Sequence, residues 1–355
     1  MLLFTRTCHY HIDMPRSYDE LIRYAFKRFC IVSALRTALP TAVYYLRRPV
    51  LPVSEKPALF TMNILPPMMT VWHHLARKYI GEHADIVIFD CSGKLRAKDF
   101  PGAHVYKFLN FYASTKSDEF LHSIAKNRRI GWICDDDVFF VGHGSVDIVE
   151  QELRNDQTAC VSFRGRDWWE FDINGQRSPP ASSYCTAMNR SVVVKKEHLS
   201  LAPANGNTHP QTGSKKPKRY DTFDKANETL LEKGYKCPVL SKDTQDQYIA
   251  GFSGMSSAVM LLAYCRTPQQ IIDYFASPPK ERWTGTVLHD TFGGILAIQH
   301  IQELYEAITG KQYELPSLPP KEEIVRMREE YEPLIGRGRT YEWIDEVGAK
   351  LCNAL

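Results

Sequence analysis

The chain contains no apolar run that reads as a clear membrane span. Its most apolar early stretch, 29–46, is interrupted by Arg36 and Pro40. It falls short of the roughly 20 continuous apolar residues a spanning helix needs. Paired cysteines are missing too: nine are scattered along the chain, with no Cys-x-x-Cys. This excludes a disulfide framework and a cysteine-held zinc site. Cys91, Cys134 and Cys160 sit inside apolar, strand-like runs, where a thiol acts as a small hydrophobe. A reducing compartment is the expectation. The first residues show no charged-then-apolar leader pattern, so a cytoplasmic location is expected, with membrane-peripheral contact open. A large charge excess is also lacking. Lys and Arg number 44 against 41 Asp and Glu, a net +3, and no nucleic-acid partner is indicated. There is no internal repeat and no low-complexity tract.

What is present suits a soluble globular chain: 44% hydrophobic and 24% charged residues. The length, 355 residues, fits one large domain or two smaller ones. Charge is locally uneven. Residues 1–60 carry nine Lys/Arg and four acids. That excess can face an anionic membrane or phosphates, or form a solvated helix face. Peripheral membrane contact through 17–48 would use Tyr24, Phe26, Tyr44, Tyr45 and the neighbouring arginines. Ser17 with Glu20 reads as a helix start, and Pro40 as a break in that helix.

From Pro57 the pattern alternates strand and helix: strands over 58–64, 84–92, 104–109 and 129–134, and helices over 66–80 and 117–125. Such alternation predicts a largely parallel sheet with helices on both faces. Further on, the pattern predicts a helix at 145–153, strands at 158–163, 191–196 and 235–240, and a helix at 225–233. Residues 243–250 read as a polar stretch, and 202–219 as a basic loop or lid. Helices follow at 256–264, 268–276, 287–309, 321–334 and 341–351. The division expected is a helical extension over 1–54, an α/β domain over 55–255 and a helical region over 256–355.

In sheets of this kind ligands bind at the carboxyl ends of the strands. Thr61, Asn63, Asp90, Ser92 and the triplet Asp135-Asp136-Asp137 all fall at or near such ends. In extended chain Asp135 and Asp137 would point together and Asp136 away. Two convergent carboxylates make a hard-oxygen site suited to Mg2+ or Mn2+ carrying a diphosphate. A solvated acidic turn or a helix N-cap would use the same triplet.

In order and spacing, 57–255 resembles nucleotide-sugar-dependent glycosyltransferases of the GT-A fold. Three features carry the resemblance: Asp90-Cys91-Ser92 after the second strand, Asp135-Asp136-Asp137-Val138 as an Asp-x-Asp motif, and Tyr220-Asp221-Thr222-Phe223-Asp224 before a helix that leads to Gly234-Tyr235-Lys236. The resemblance implies a GT-A-like, Rossmann-type, mostly parallel sheet with helical extensions at both ends. It implies a UDP- or GDP-sugar donor and a glycan, lipid or small-molecule acceptor. The nucleotide would lie against Thr61, Asn63, Asp90, Ser92, Asp135 and Asp136. Mn2+ or Mg2+ would be held by Asp135 and Asp137, with His289 a late third ligand or simply a packed histidine. Asp221 and Asp224 are the candidates for a general base, which only an inverting transfer needs; either can instead cap a helix. Trp168, Trp169, Phe171 and Tyr184 can stack on an acceptor sugar or fill core, the flanking Arg164, Arg166, Asp167 and Glu170 favouring a cleft edge, and Arg190 can contact a phosphate or the acceptor or pair on the surface.

Other readings compete. A nucleotidyltransferase on a related fold would show a Gly-rich, basic loop after the first strand, where this chain has Leu65-Pro66-Pro67-Met68-Met69. A metal-dependent phosphohydrolase would need partners for His289-Asp290, and only scattered ones such as His300 and Asp273 are available. A non-enzymatic α/β scaffold would use the acids merely as caps.

Overall fold

The computed structural model describes residues 18–109, 113–166, 169–206, 219–252, 255–265, 267–276, 285–313, 315, 318–335 and 340–355. The protein is α/β, with a mostly parallel central sheet flanked by helices. Strands β1 (Ala58–Asn63), β2 (Asp85–Asp90), β3 (Ala103–Lys107) and β4 (Ile130–Cys134) run parallel. Further strands are β5 (Val138–Phe140), β6 (Cys160–Ser162), β7 (Phe171–Ile173), β8 (Gln176–Ser178) and β9 (Cys185–Asn189). The main sheet has the order β3-β2-β1-β4-β9-β6, and β9 alone runs against its neighbours.

Helices α1 (Tyr18–Arg47), α2 (Pro66–Tyr79), α3 (Ala113–Glu119), α4 (Ser145–Glu152) and α5 (Asp224–Glu232) surround it, with α6 (Lys242–Tyr248), α7 (Met255–Tyr264), α8 (Pro268–Ala276) and α9 (Gly285–Thr309) following. The chain closes on α10 (Lys321–Glu330), α11 (Glu332–Ile335) and α12 (Glu342–Ala354). Two short strands, β10 (Ala204–Asn205) and β11 (Arg219–Tyr220), pair with each other, and β12 (Ile249–Gly251) pairs antiparallel with β5.

Strand alternation sorts the core into two layers. Leu59, Ile86, Ile88 and Trp132 pack with α2, α7 and α9 on one face of the sheet. Phe60, Val87, Phe89 and Ile133 pack with Phe120, Leu230 and Tyr44 on the other. The C-terminal helices therefore share the first core layer with the sheet.

Four local expectations are corrected. Pro40 lies inside α1 rather than ending it. A mid-helix proline costs about 3 kcal/mol, and tertiary anchors hold the helix through it. Thr37 and Thr41 are buried, Thr41 Oγ1 accepts the Leu109 N–H at 2.8 Å, and the Tyr44 hydroxyl donates to Glu119 at 2.7 Å. The Val-rich 191–196 forms a wide π-helical turn, not a strand. Val192, Val193 and Val194 are all buried, whereas a strand would alternate them across its faces. Residues 235–240 run beside β6 through isolated bridges at Lys236 and Val239 instead of forming a full strand. The polar 243–250 is mainly α6, capped by Ser241, whose side chain accepts the Thr244 N–H, and its end begins β12. The basic stretch Lys215–Lys218 and the Ser17 cap lie outside the described residues.

Candidate active site

The carboxyl ends of β1, β2 and β4 lie side by side, and the expected acids gather there. At β2, Asp90 is buried and its carboxylate is fully engaged. It accepts from Asn63 Nδ2 at 3.0 Å, from the Ser92 amide and hydroxyl at 3.0 and 2.6 Å, and from the Gly93 and Leu95 amides at 2.9 Å each. Asp90 thus shapes the loop after β2. Asn63 Nδ2 also reaches Ser92 Oγ at 3.1 Å. Asn63 Oδ1 and Thr61 Oγ1 remain buried without a hydrogen-bond partner among the described residues. Gly93 adopts φ +68°, and a Cβ there would meet Cβ of Arg36 and the methyl of Thr37, so α1 rests directly on this loop.

Asp135, Asp136 and Asp137 form a tight turn, not extended chain: the Val138 N–H bonds back to Asp135 O at 3.2 Å. The expected alternation fails because the chain must reverse into β5. The three carboxylates crowd one cleft all the same. Protein mass around the cleft strips water from them, although Asp135 itself stays reachable by solvent. Desolvation, then the charge of Asp137 and that of Asp221, push Asp135 well above the usual carboxylate range, with Arg166 opposing. Asp136 is pushed up to about 8 by burial and by Asp135, against a hydrogen bond from the Ile64 amide. Asp137 is pushed up to about 8 by burial and by Asp136, with Arg164 opposing. Asp136 Oδ2 and Asp137 Oδ1 have no hydrogen-bond partner among the described residues. Carboxylate oxygens left in this state suit a hard divalent cation. Among the described residues no group of three His, Cys, Asp or Glu could hold a metal by itself. The remaining ligands of any cation would be phosphate oxygens and water.

Asp221 and Asp224 differ sharply. Asp224 is buried at the start of α5. Its Oδ1 accepts from Arg166 Nε at 2.7 Å and its Oδ2 from the Asp221 N–H at 2.8 Å. Burial raises its pKa, and Arg166 opposes the rise. Asp221 is 61% exposed, 3.4 Å from Arg166, and its charge is felt at Asp135. Phe223, between them, holds φ +73° with its ring fully buried, a strained conformation for a bulky residue that persists only under tight packing.

Two expected residues, Arg190 and His289, are not brought to this cluster. Arg190 is buried next to the amino end of β4, the far end of the sheet. Its guanidinium donates to the carbonyls of Leu121 at 2.5 Å and Lys126 at 2.8 Å, a structural clamp instead of the expected acceptor contact. Trp169 is buried against Phe171 and Tyr220. His289 lies on α9, stacked on Tyr341 at 4.9 Å. Trp168 lies outside the described residues.

Arg164, Arg166 and Tyr184, by contrast, are brought together. The Arg164 guanidinium lies over the Tyr184 ring at 4.6 Å, and the Tyr184 hydroxyl donates to Phe252 O at 2.9 Å. All three line a cavity of about 820 Å3 with Gly251, Gln245 and Trp343. Gly251 is forced by crowding: a Cβ would come within 2.6 Å of Asp137 O and meet the Tyr184 hydroxyl. The cavity therefore adjoins the acid turn. The hint in the sequence was the Arg-Gly-Arg spacing next to the aromatic run.

No family model and no curated protein matches the chain. Among solved structures it is similar to a mannosyltransferase from Pyrobaculum calidifontis in complex with GDP-Man and Mn2+, at 12% identity and TM-score 0.37, over 94% of this chain and 97% of that one. It is also similar to a 4-diphosphocytidyl-2C-methyl-D-erythritol synthase from Anaerococcus prevotii, at 10% identity and TM-score 0.32, over 52% of this chain and 88% of that one. Likeness of this degree gives no residue-level correspondence.

Proposed function

We propose that the protein is a GT-A-like glycosyltransferase that moves a sugar from a nucleoside-diphosphate-sugar, UDP- or GDP-linked, to a glycan, lipid or small-molecule acceptor. One observation carries this reading. Three crowded carboxylates, two of them with a buried oxygen that lacks a partner among the described residues, sit at the carboxyl end of a parallel sheet, beside two arginines and a cavity.

In this reading Asp135 and Asp137 hold Mn2+ or Mg2+, which when bound neutralises the charge of the leaving diphosphate. Thr61 and Asn63, fully buried beneath the loop that Asp90 and Ser92 fix, would shape the floor on which the nucleoside lies. Asp136, bonded to the Ile64 amide, ties the acid turn to the end of β1. Arg164 supplies positive charge next to Asp137. Asp221, exposed and held toward the cluster by Arg166, is the residue able to accept a proton from an acceptor hydroxyl. Asp224 fixes Arg166 in place. The acceptor enters by the cavity, where Trp343 offers an aromatic wall.

A nucleotidyltransferase reading is less well supported. Helix α2 opens directly after β1 with Pro66 and Pro67, and prolines remove the amide donors that would cradle a triphosphate.

Calorimetric titration of UDP and GDP, with and without Mn2+, tests the proposal. Wild type should bind one of them only with metal, and Asp137→Ala should lose that binding while staying folded. Metal-independent binding, or none, would remove the diphosphate-sugar reading.

A further inference from the structure

Helix α1 is amphipathic the wrong way round for a helix in water. Toward the protein it turns Ser33, Thr37 and Thr41, all buried, together with Tyr44. Outward it turns Ile31, Leu35, Leu39 and Leu46, which are 56%, 86%, 75% and 85% exposed. With Ala38, Ala42 and Tyr45, also exposed, these residues recur every three or four positions and form one stripe along the helix. Arg36 and Arg47 border the stripe, Arg48 follows the helix, and all three are exposed.

The charge pattern says what covers it. Residues 21–54 contain six bases (Arg23, Lys27, Arg28, Arg36, Arg47 and Arg48) and no Asp or Glu. A second copy of the same face would bring Arg36, Arg47 and Arg48 against their own equivalents. No described helix is long and apolar enough to cross a membrane. Leucines outward with arginines at the border, and no acid beyond Asp19 and Glu20 in the first turn, are the chemistry of a helix lying in the plane of an anionic bilayer, its side chains among the acyl chains and its arginines at the phosphates.

We propose that the outer face of α1 docks on an anionic phospholipid surface. The inner face of α1 meets Gly93, after β2, and the Leu109 amide, after β3. Docking therefore sets the site-bearing end of the sheet next to the lipid, where an acceptor with a lipid tail would present its head group. The docking itself does not depend on the sugar-transfer reading.

Flotation of the full chain with phosphatidylcholine vesicles, with and without phosphatidylglycerol, tests it. Wild type should bind the anionic vesicles about tenfold or more tightly than the neutral ones, and added salt should weaken that binding. Leu35→Glu with Leu39→Glu, both at exposed positions, should keep the wild-type melting temperature and lose at least about tenfold in vesicle affinity. If that pair unfolds, Arg47→Gln with Arg48→Gln carries the test by losing the anionic preference. Equal or absent binding to the two vesicle types overturns the proposal, as does unchanged binding by the variants. A dimer that the glutamates dissociate, without vesicle binding, would assign the face to a second copy instead.

Discussion

Arg166 divides the work between Asp221 and Asp224. It is 7% exposed and its Nε is bonded to Asp224, which leaves Asp221 at 3.4 Å as the solvent-facing partner. Removing Asp224 would take the nearer carboxylate, at 2.7 Å, from a buried guanidinium and leave it Asp221 at 3.4 Å. Asp224→Ala should therefore lose about 1.5–3 kcal/mol in urea unfolding. Asp221→Asn should unfold like wild type and, if the transfer inverts, lose about a hundredfold or more in turnover. A large stability loss for Asp221→Asn would reverse these assignments. His73 sets a separate pH limit. Burial lowers its pKa from 6.5 to about 4, while its Nε2 lies 3.1 Å from Pro101 O. Between those values the unfolded chain takes up a proton that the folded one refuses, so stability falls as pH drops from 6.5 toward 4. The loss reaches about 3 kcal/mol, and His73→Gln should flatten the melting temperature over that window. The place of Asp90 and of the acid triplet at strand ends was legible because carboxylates that follow short apolar runs form a local pattern. Arg164 and Arg166 were legible only as charges flanking the Trp pair; their approach to the acids was not, because it depends on the packing of α5 and β12 around them. Arg190 misled for the opposite reason: a sequence cannot display the two carbonyls that occupy its guanidinium.

At the scale of elements, β12 is the piece that ties the cavity to the acid turn. Its Gly251 pairs with Val138, and the next amide, of Phe252, donates to Asp137 O at 3.0 Å. Gly251→Ala should push β12 off β5 and shift Asp137. It is expected to lower the melting temperature and weaken metal-dependent nucleotide binding together; a variant that binds as wild type does would separate β12 from the site. The pattern of 243–250 hid this element, because α6 is almost entirely polar and its cap, Ser241, is its clearest local signal. The strands of the core were easy to read by contrast. Short apolar runs at 58–64, 84–92 and 129–134 correspond to β1, β2 and β4 because both faces of each are buried. Three successive valines at 192–194 gave the same apolar signal, yet the chain there curls into a turn on the core. Pro40 was a reliable helix breaker by local rules and lost to the anchors of α1.

For the whole molecule, the arrangement puts three things at one end of the sheet: the acid turn, the arginine-lined cavity and the inner side of α1. The first was readable in the sequence, since parallel strands deliver their carboxyl ends to one edge. The other two depend on contacts between residues far apart in the chain, such as Arg36 with Gly93 and α12 with α6. In the reading proposed above, Asp135 and Asp137 would hold a divalent cation that neutralises the charge of a bound nucleoside diphosphate. Anomalous diffraction from crystals soaked with Mn2+ and the nucleotide that binds tests it most directly. The account predicts one strong manganese peak between those carboxylates, with the diphosphate on its open side. A peak at His289, or full nucleotide occupancy with no metal at the acid turn, would contradict it.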